Sequence, residues 1–223
     1  MKKLFLIVAV MAATVSANAQ AEPGSFSIQP HTGGTGGIFS SAPKTSTIGL
    51  PSDFDTNVLA GNSIGVDFEY QINKWLSAAA GVNYVITGNA WKDKDVNKVK
   101  YKDVKIQTGY ITVPLVANFY VHKGLALKTG VQFAYLTNAK EMFSIEDKTD
   151  KVTRTYTTST DIKDDLNKFD ISIPVGISYE FKVPIVIDLR YNIGLSKIGK
   201  SDSAFKDSRS NTCMLTLGYK FKL

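Results

Sequence analysis

The sequence predicts an all-β protein, an eight-stranded antiparallel up-and-down β-barrel that spans a membrane. Two observations support this prediction. Apolar residues alternate with small or polar residues over most of the chain beyond residue 60, a period of two that is typical of strands whose faces meet different surroundings. The connections also alternate between short turns and long polar loops, as they do in barrels of the bacterial outer membrane.

Seven apolar alternations mark the predicted strands. They run over 64–72, 76–86, 111–121, 125–135, 169–181, 185–195 and 213–223. A weaker run at Phe26, Ile28 and Pro30 provides an eighth strand near the start of the mature chain. An even number of strands lets an up-and-down barrel close with both termini at the same end.

The turns give a check that does not depend on hydrophobicity. Three-residue turns at 73–75, 122–124 and 182–184 keep the apolar face in register across each hairpin. The four other connections are long, covering about 34–62, 88–106, 138–167 and 197–211. We expect the turns and both termini in the periplasm and the long loops outside the cell. The glycines at 33, 34, 36 and 37 are interpreted as a flexible rim.

Alternation alone does not say which face points outward. An eight-stranded barrel has an interior just wide enough for side chains, and the many large apolar residues of one face would overfill it. The opposite face carries Gly65, Gly81, Gly130, Gly176 and Gly218, which fit a crowded interior. The sequence therefore favours an apolar outer face in contact with lipid. A secreted lipocalin-like barrel with the apolar face inward is the alternative.

The inward face carries acids and bases in near balance, five and four. We predict that they pair inside the barrel as a polar network and fill it rather than leaving a pore. The members of this network are Asp67, Glu69, Lys128, Asp170, Glu180, Asp188, Arg190 and Lys220. The hairpin register places Asp67 opposite Gly81 and Arg190 opposite Gly176, which leaves these charged side chains room. Lys222 is expected to extend into the periplasm instead.

The N-terminus predicts export. Residues 1–19 combine Lys2 and Lys3 with a short apolar run and small residues before the end, the pattern of a secretory signal peptide. Residues 20–223 then form the barrel domain. The single cysteine, Cys213, excludes an internal disulfide and a cysteine-rich zinc site, and it falls on the lipid face. The formal net charge of +6 is too scattered to indicate nucleic-acid binding.

Three segments carry a family resemblance. They are YITVPLVANFYV at 110–121, FDISIPVGISYEF at 169–181 and the closing LTLGYKFKL at 215–223. They resemble the PorT-like outer-membrane β-barrel domain of Bacteroidetes, which has the eight-stranded architecture of OmpA/OmpX-type barrels. The chain departs from the pattern in ending on Leu223 rather than on an aromatic residue. The resemblance implies outer-membrane residence and insertion by the barrel-assembly machinery, and family members differ in role.

Candidate chemistry is sparse, and we predict no enzyme, cofactor or metal site. His31 and His122 lie at opposite ends of the barrel and are interpreted as solvated. The lysines of segment 92–105 have two interpretations, a soluble loop surface, which the pattern favours, and a site that meets lipopolysaccharide phosphates. The expected partners are outer-membrane lipid, lipopolysaccharide, the assembly machinery and other envelope proteins. Two functions stay open: a structural or interaction protein that presents its loops or joins an envelope assembly, and a channel for small solutes.

Overall fold

The structure, a computed structural model, describes residues 22–96, 99–122, 124–147 and 154–223. The predicted leader and the turn residue Lys123 lie outside the described residues. Twelve strands occur in the described part of the chain: β1 (Phe26–Ser40), β2 (Thr56–Asn57), β3 (Leu59–Asn73), β4 (Leu76–Trp91), β5 (Lys94–Val96), β6 (Val99–His122), β7 (Leu125–Asp147), β8 (Arg154–Asp161), β9 (Phe169–Glu180), β10 (Ile185–Gly194), β11 (Arg209–Tyr219) and β12 (Phe221–Lys222).

Eight of these strands form a closed antiparallel ring, which confirms the predicted fold class. The ring runs β1–β3–β4–β6–β7–β9–β10–β11 and closes where β11 pairs with β1. Strand β12 continues this closure by pairing with the start of β1. Two 3-10 helices, Thr45–Ile48 and Lys163–Asp165, lie in the connections. Neither helix of the described residues has the length and apolar character needed to cross a membrane.

The barrel has two unlike ends. We call the end with the tight connections around 73–76, 122–125 and 181–185 the turn end, and the opposite end the loop end. The predicted registers are found: Asp67 pairs with Gly81 and Arg190 pairs with Gly176. Small irregularities next to two turns shift the last pair of each hairpin by one residue. The alignment of the strands in these two hairpins was therefore predicted correctly from the hydrophobic period.

The limits of the long connections were predicted wrongly, because strands continue into them. Strand β1 extends to Ser40, so the glycines at 33–37 are paired strand residues rather than a flexible rim. Strands β6 and β7 pair from Val99 and Asp147 down to the turn end. Strand β8 pairs with the outer half of β7, whereas β9 pairs with its inner half. The sheet therefore extends well past the eight-stranded ring at the loop end.

The exposed apolar residues decide which face is outside. Along β10 every second residue is exposed and apolar, and its neighbours are buried and mostly polar. Leu189 is 42% exposed, whereas Asp188 and Arg190 on either side are buried. The lipocalin-like alternative needed the opposite arrangement and is excluded. Contact with lipid removes the exposed apolar belt from water, and the polar residues of the opposite face fill the lumen.

Aromatic side chains cluster at both borders of the apolar belt. At the turn end, Phe26 packs on Tyr70 and Tyr179 on Phe181, with ring centroids 4.7 and 4.8 Å apart. Towards the loop end, Tyr135 contacts Phe169 at 5.2 Å. Amphipathic aromatic rings of this kind mark the two membrane–water interfaces of transmembrane barrels. The girdles therefore define the membrane-embedded part of the barrel.

Replacing Leu189 by Arg is expected to lower the free energy of unfolding by about 2–4 kcal/mol, because a cation would then face the middle of the hydrocarbon layer. Leu189→Met keeps the side chain apolar and serves as the control. Urea unfolding from lipid vesicles, followed by tryptophan fluorescence, measures both. Equal stability of the two variants would mean that this face does not contact lipid.

Candidate functional site

The lumen near the turn end is closed by a cluster of ionic groups, the turn-end cluster. Lys220 Nζ lies 2.9 Å from Glu69 Oε2 and 3.0 Å from Glu180 Oε2. Tyr120 and Ser77 each donate a hydrogen bond of 2.6 Å to Glu69 Oε1. Each carboxylate is therefore paired and hydrogen-bonded, which is the condition under which buried charges are tolerated. The cluster joins β3, β4, β6, β9 and the C-terminal end of the ring.

A second group, the central cluster, occupies the middle of the lumen. Arg190 Nη2 lies 3.5 Å from Asp67 Oδ2 and 3.4 Å from Asp188 Oδ2. Lys128 pairs with the same oxygen of Asp188. Two cations thus face two carboxylates, so the formal charges balance. The glycine at position 81 leaves room for the Asp67 carboxylate, because a Cβ atom built on Gly81 would lie 1.9 Å from Asp67 Oδ1.

Two sequence interpretations need correction here. His31 is not solvated: it is buried in the central cluster, and its Nε2 lies 3.6 Å from Asp67 Oδ2. The apolar alternation in the strand that carries His31 is too weak to show which of its side chains point into the lumen. Lys222 does not extend away from the protein but lies 3.1 Å from Glu180 Oε1. His122, by contrast, is exposed near the turn end, as expected.

Asp170 stands apart from both clusters. It is buried near the loop end of the lumen and accepts a hydrogen bond from the Ser196 hydroxyl. Among the described residues no cationic side chain lies within ion-pair distance of it. The eight residues of the predicted network are therefore all buried in the lumen, seven of them in two ion-paired clusters and one separate from them.

The loop end carries a feature that the sequence did not predict, a hydrophobic core above the lumen. We call it the loop-end core. Its buried residues come from strand ends and from connecting loops alike: Phe39, Leu50, Phe54, Trp91, Val104, Ile106, Tyr110, Ala134, Leu136, Ala139, Ile162, Leu166, Ile198 and Phe205. Residues distant in sequence meet here, so the loops are packed against each other and against the sheet. This core lies at the loop end of the barrel.

Above the loop-end core lies a charged and polar outer surface. Lys44 and Asp53 form an exposed ion pair of 3.6 Å, and Lys197 and Asp207 form another of 2.8 Å. Hydrogen bonds from Ser46 hold the pKa of Asp53 below its usual range. Strand β8 is exposed from Thr155 to Asp161 and, within the described chain, pairs with β7 alone. We call the loops, the loop-end core and the sheet beyond the membrane girdle the loop-end head.

The arrangement offers little for catalysis. No group of three or more His, Cys, Asp or Glu side chains that could hold a metal ion occurs in the described ranges. The carboxylates of the two clusters already bind lysine, arginine, tyrosine and serine side chains, so these interactions hold the barrel strands together. Cys213 is exposed on the outer face of the ring. Apart from Asp170, the ionisable groups of the predicted lumen network are held in ion pairs.

A closed antiparallel barrel with an apolar girdle outside and polar residues inside defines a membrane-spanning β-barrel. A family model described as the outer membrane protein beta-barrel domain matches residues 18–199. The chain belongs to this family, and it is an outer-membrane β-barrel protein. No curated protein matches the sequence.

Solved structures of similar architecture are distant in sequence. Ail, the attachment invasion locus protein of Yersinia pestis, in a complex with the heparin analogue sucrose octasulfate, is 15% identical, with a TM-score of 0.46 over 89% of this chain and 99% of Ail. Neisserial surface protein A is 14% identical, with a TM-score of 0.42 over 89% of this chain and 97% of that protein. OprG of Pseudomonas aeruginosa is 12% identical, with a TM-score of 0.43 over 92% and 99%.

Proposed function

We propose that this protein anchors the loop-end head in the outer membrane and presents it to partners outside the cell, and that its barrel is not a wide pore. The loop-end core carries this proposal. Fourteen buried apolar residues from strands and loops pack together at and beyond the loop-end girdle, which gives the head a fixed shape. A fixed surface lowers the entropy cost of binding a partner. The ionic clusters below fill the lumen with paired charges.

The proposed orientation places the loop end outside the cell and the turn end, with both ends of the mature chain, in the periplasm. Long external loops and short periplasmic turns are the rule for bacterial barrels. Residues 1–19 would direct export as a signal peptide. Within the family, the V-P-L segment of β6 and the P-V-G segment of β9 support a PorT-like, Bacteroidetes-type member.

Lipopolysaccharide is the proposed lipid partner at the outer border. Lys168 directly precedes the girdle residue Phe169, and Lys197 is two residues beyond the exposed Leu195. Arg209 begins β11 at the same end and is exposed. Cations at this level are placed to meet lipid phosphates. The barrel-assembly machinery is the proposed partner during insertion, when β11 and β12 close the ring against β1.

Protein partners are proposed to bind the exposed edge of β8. A strand with one unpaired edge presents free N–H and C=O groups to an extended segment of another chain. Tyr156, at 56% exposed, adds an apolar contact on this strand. A partner chain from the cell envelope would thus add a strand to the sheet of β6, β7 and β8.

Cysteine labelling tests this proposal. In a Cys213→Ser background, Thr157→Cys on β8 is expected to react with a membrane-impermeant maleimide on intact cells, because the loop end is outside. Lys182→Cys at the turn end should react only after the outer membrane is opened. An impermeant cysteine-to-amine cross-linker at position 157 should then capture a protein that a cysteine at the lipid-facing Leu189 does not capture.

Labelling of position 182 but not of position 157 on intact cells would contradict the orientation. Labelling of position 157 without any specific cross-linked product would contradict the role of β8 as a docking edge.

A further inference from the structure

A small cavity lies in the lumen between the central cluster and the loop-end core. Its volume is about 20 Å³. Polar residues of six strands line it, among them Thr87 of β4, Thr112 of β6, Gln132 of β7, Asp170 and Ser172 of β9, Asn192 of β10 and Thr212 of β11. A water molecule needs roughly 10–15 Å³ by this measure, so the cavity has room for one particle of that size and for no organic molecule.

Asp170 provides the charge of this cavity and is its only carboxylate. The carboxylate accepts a hydrogen bond from Ser196, and within the described residues no lysine, arginine or histidine pairs with it. The other predicted lumen carboxylates, Asp67, Glu69, Glu180 and Asp188, all have a cationic partner. A buried carboxylate without a counter-charge is costly. A cation bound beside Asp170 would supply a counter-charge for this carboxylate.

Two amide side chains supply oxygen atoms without partners. Gln132 donates its Nε2 to Ser172 Oγ at 3.3 Å, and Asn192 donates its Nδ2 to Met214 Sδ at 3.2 Å. Gln132 Oε1 and Asn192 Oδ1 remain, and neither finds a hydrogen-bond donor among the described residues. Both side chains are more than nine-tenths buried, with exposures of 6% and 3%. Orphaned buried acceptors of this kind require an explanation.

We propose that this cavity binds a single sodium ion. Carboxylate, amide and hydroxyl oxygens are ligands for hard cations. One carboxylate balances one positive charge, which favours a monovalent ion, and the cavity volume restricts it to a small one. The ion would receive oxygen atoms from Asp170, Gln132 and Asn192. It would thereby tie β7, β9 and β10 together below the loop-end core, a role that goes beyond the proposed presentation of the head.

Thermal unfolding of the full mature protein in detergent tests the site. Melting is followed by circular dichroism in sodium chloride and in choline chloride at equal ionic strength, at a pH where carboxylates are ionised. We expect the wild type to melt several degrees higher in sodium, with a saturable dependence on sodium concentration, since a ligand that binds only the folded state stabilises it. Calcium at matched ionic strength should stabilise less than sodium.

Variants separate ion binding from a general effect of salt. Asp170→Asn should abolish the sodium dependence and, because it removes the unpaired charge, should melt no lower than the wild type in choline. Gln132→Leu keeps the carboxylate but removes one oxygen, so it should shift the sodium dependence to higher concentration even if Asp170→Asn does not fold. Asp202→Asn alters an exposed carboxylate and should keep the full sodium response.

Equal melting of the wild type in sodium and choline would overturn the proposal, and the cavity would then hold only water. A sodium response that persists in both lumen variants would also overturn it. Stronger stabilisation by calcium than by sodium would contradict the assignment of a monovalent ion.

Discussion

Replacing Arg190 by Ala is expected to lower the free energy of unfolding by about 3–5 kcal/mol, the usual cost of removing one partner from a buried ion pair. Arg190 is fully inside the barrel and approaches both Asp67 and Asp188. Without it, Lys128 remains as the only permanent cation of the central cluster, and Asp67 keeps His31 alone as a close neighbour. Two carboxylates would then share one fixed positive charge in a space without bulk water.

Urea unfolding from lipid vesicles measures the effect of Arg190→Ala. Asp67→Asn in the Arg190→Ala background removes one of the unpaired charges and should restore part of the lost stability. Arg190→Lys keeps a charge but loses the planar guanidinium that reaches two carboxylates, so its loss should be smaller than that of the alanine variant. If Arg190→Ala unfolds at the same urea concentration as the wild type, the central cluster does not stabilise the barrel.

Replacing Leu136 by Ala is expected to cost about 2–5 kcal/mol, because the side chain is completely buried in the loop-end core and its removal leaves a cavity. Leu127 lies on the same strand but faces lipid and is 47% exposed, so Leu127→Ala is the matched control and should cost less. Leu136→Ala should also make the loop-end head more accessible to protease while the ring persists. Equal losses in both variants would show that the head is not a packed unit.

Much of the ring could be predicted because a barrel that crosses a membrane imposes a strict rule on its strands. Every second residue of β10, for example, contacts lipid, and the intervening residues face a narrow lumen. The apolar alternation therefore marks each strand, and the short turns set the register that places Arg190 opposite Gly176. The same parity identifies the ionisable residues that face inward.

The loop-end head could not be predicted in the same way, because its strands no longer have lipid on one side. Val104 and Ile106 flank Lys105 in a lysine-rich segment, and this short pattern was interpreted as part of a charged loop. In the structure both side chains are buried in the loop-end core, against residues from other loops. Contacts between segments so distant in sequence leave no local periodicity to recognise.

The first strand was obscured by its composition. Glycines at 33, 34, 36 and 37 indicate a turn or loop when they are considered alone. In β1 they pair on both sides, and a Cβ built on Gly33 would lie 2.0 Å from the carbonyl oxygen of Leu215. The backbone of the neighbouring strand therefore leaves no room for a side chain at position 33. His31, just before them, was therefore assigned to a solvated rim rather than to the central cluster.

We propose that the filled lumen and the loop-end core leave no wide passage through the barrel. Planar-bilayer recording of the refolded wild-type protein tests it most directly, with the Leu136→Ala and Arg190→Ala variants measured beside it. We expect no steady conductance from the wild type, and at most brief openings from the variants. A large, steady conductance from the wild type would contradict this proposal and support a channel for small solutes.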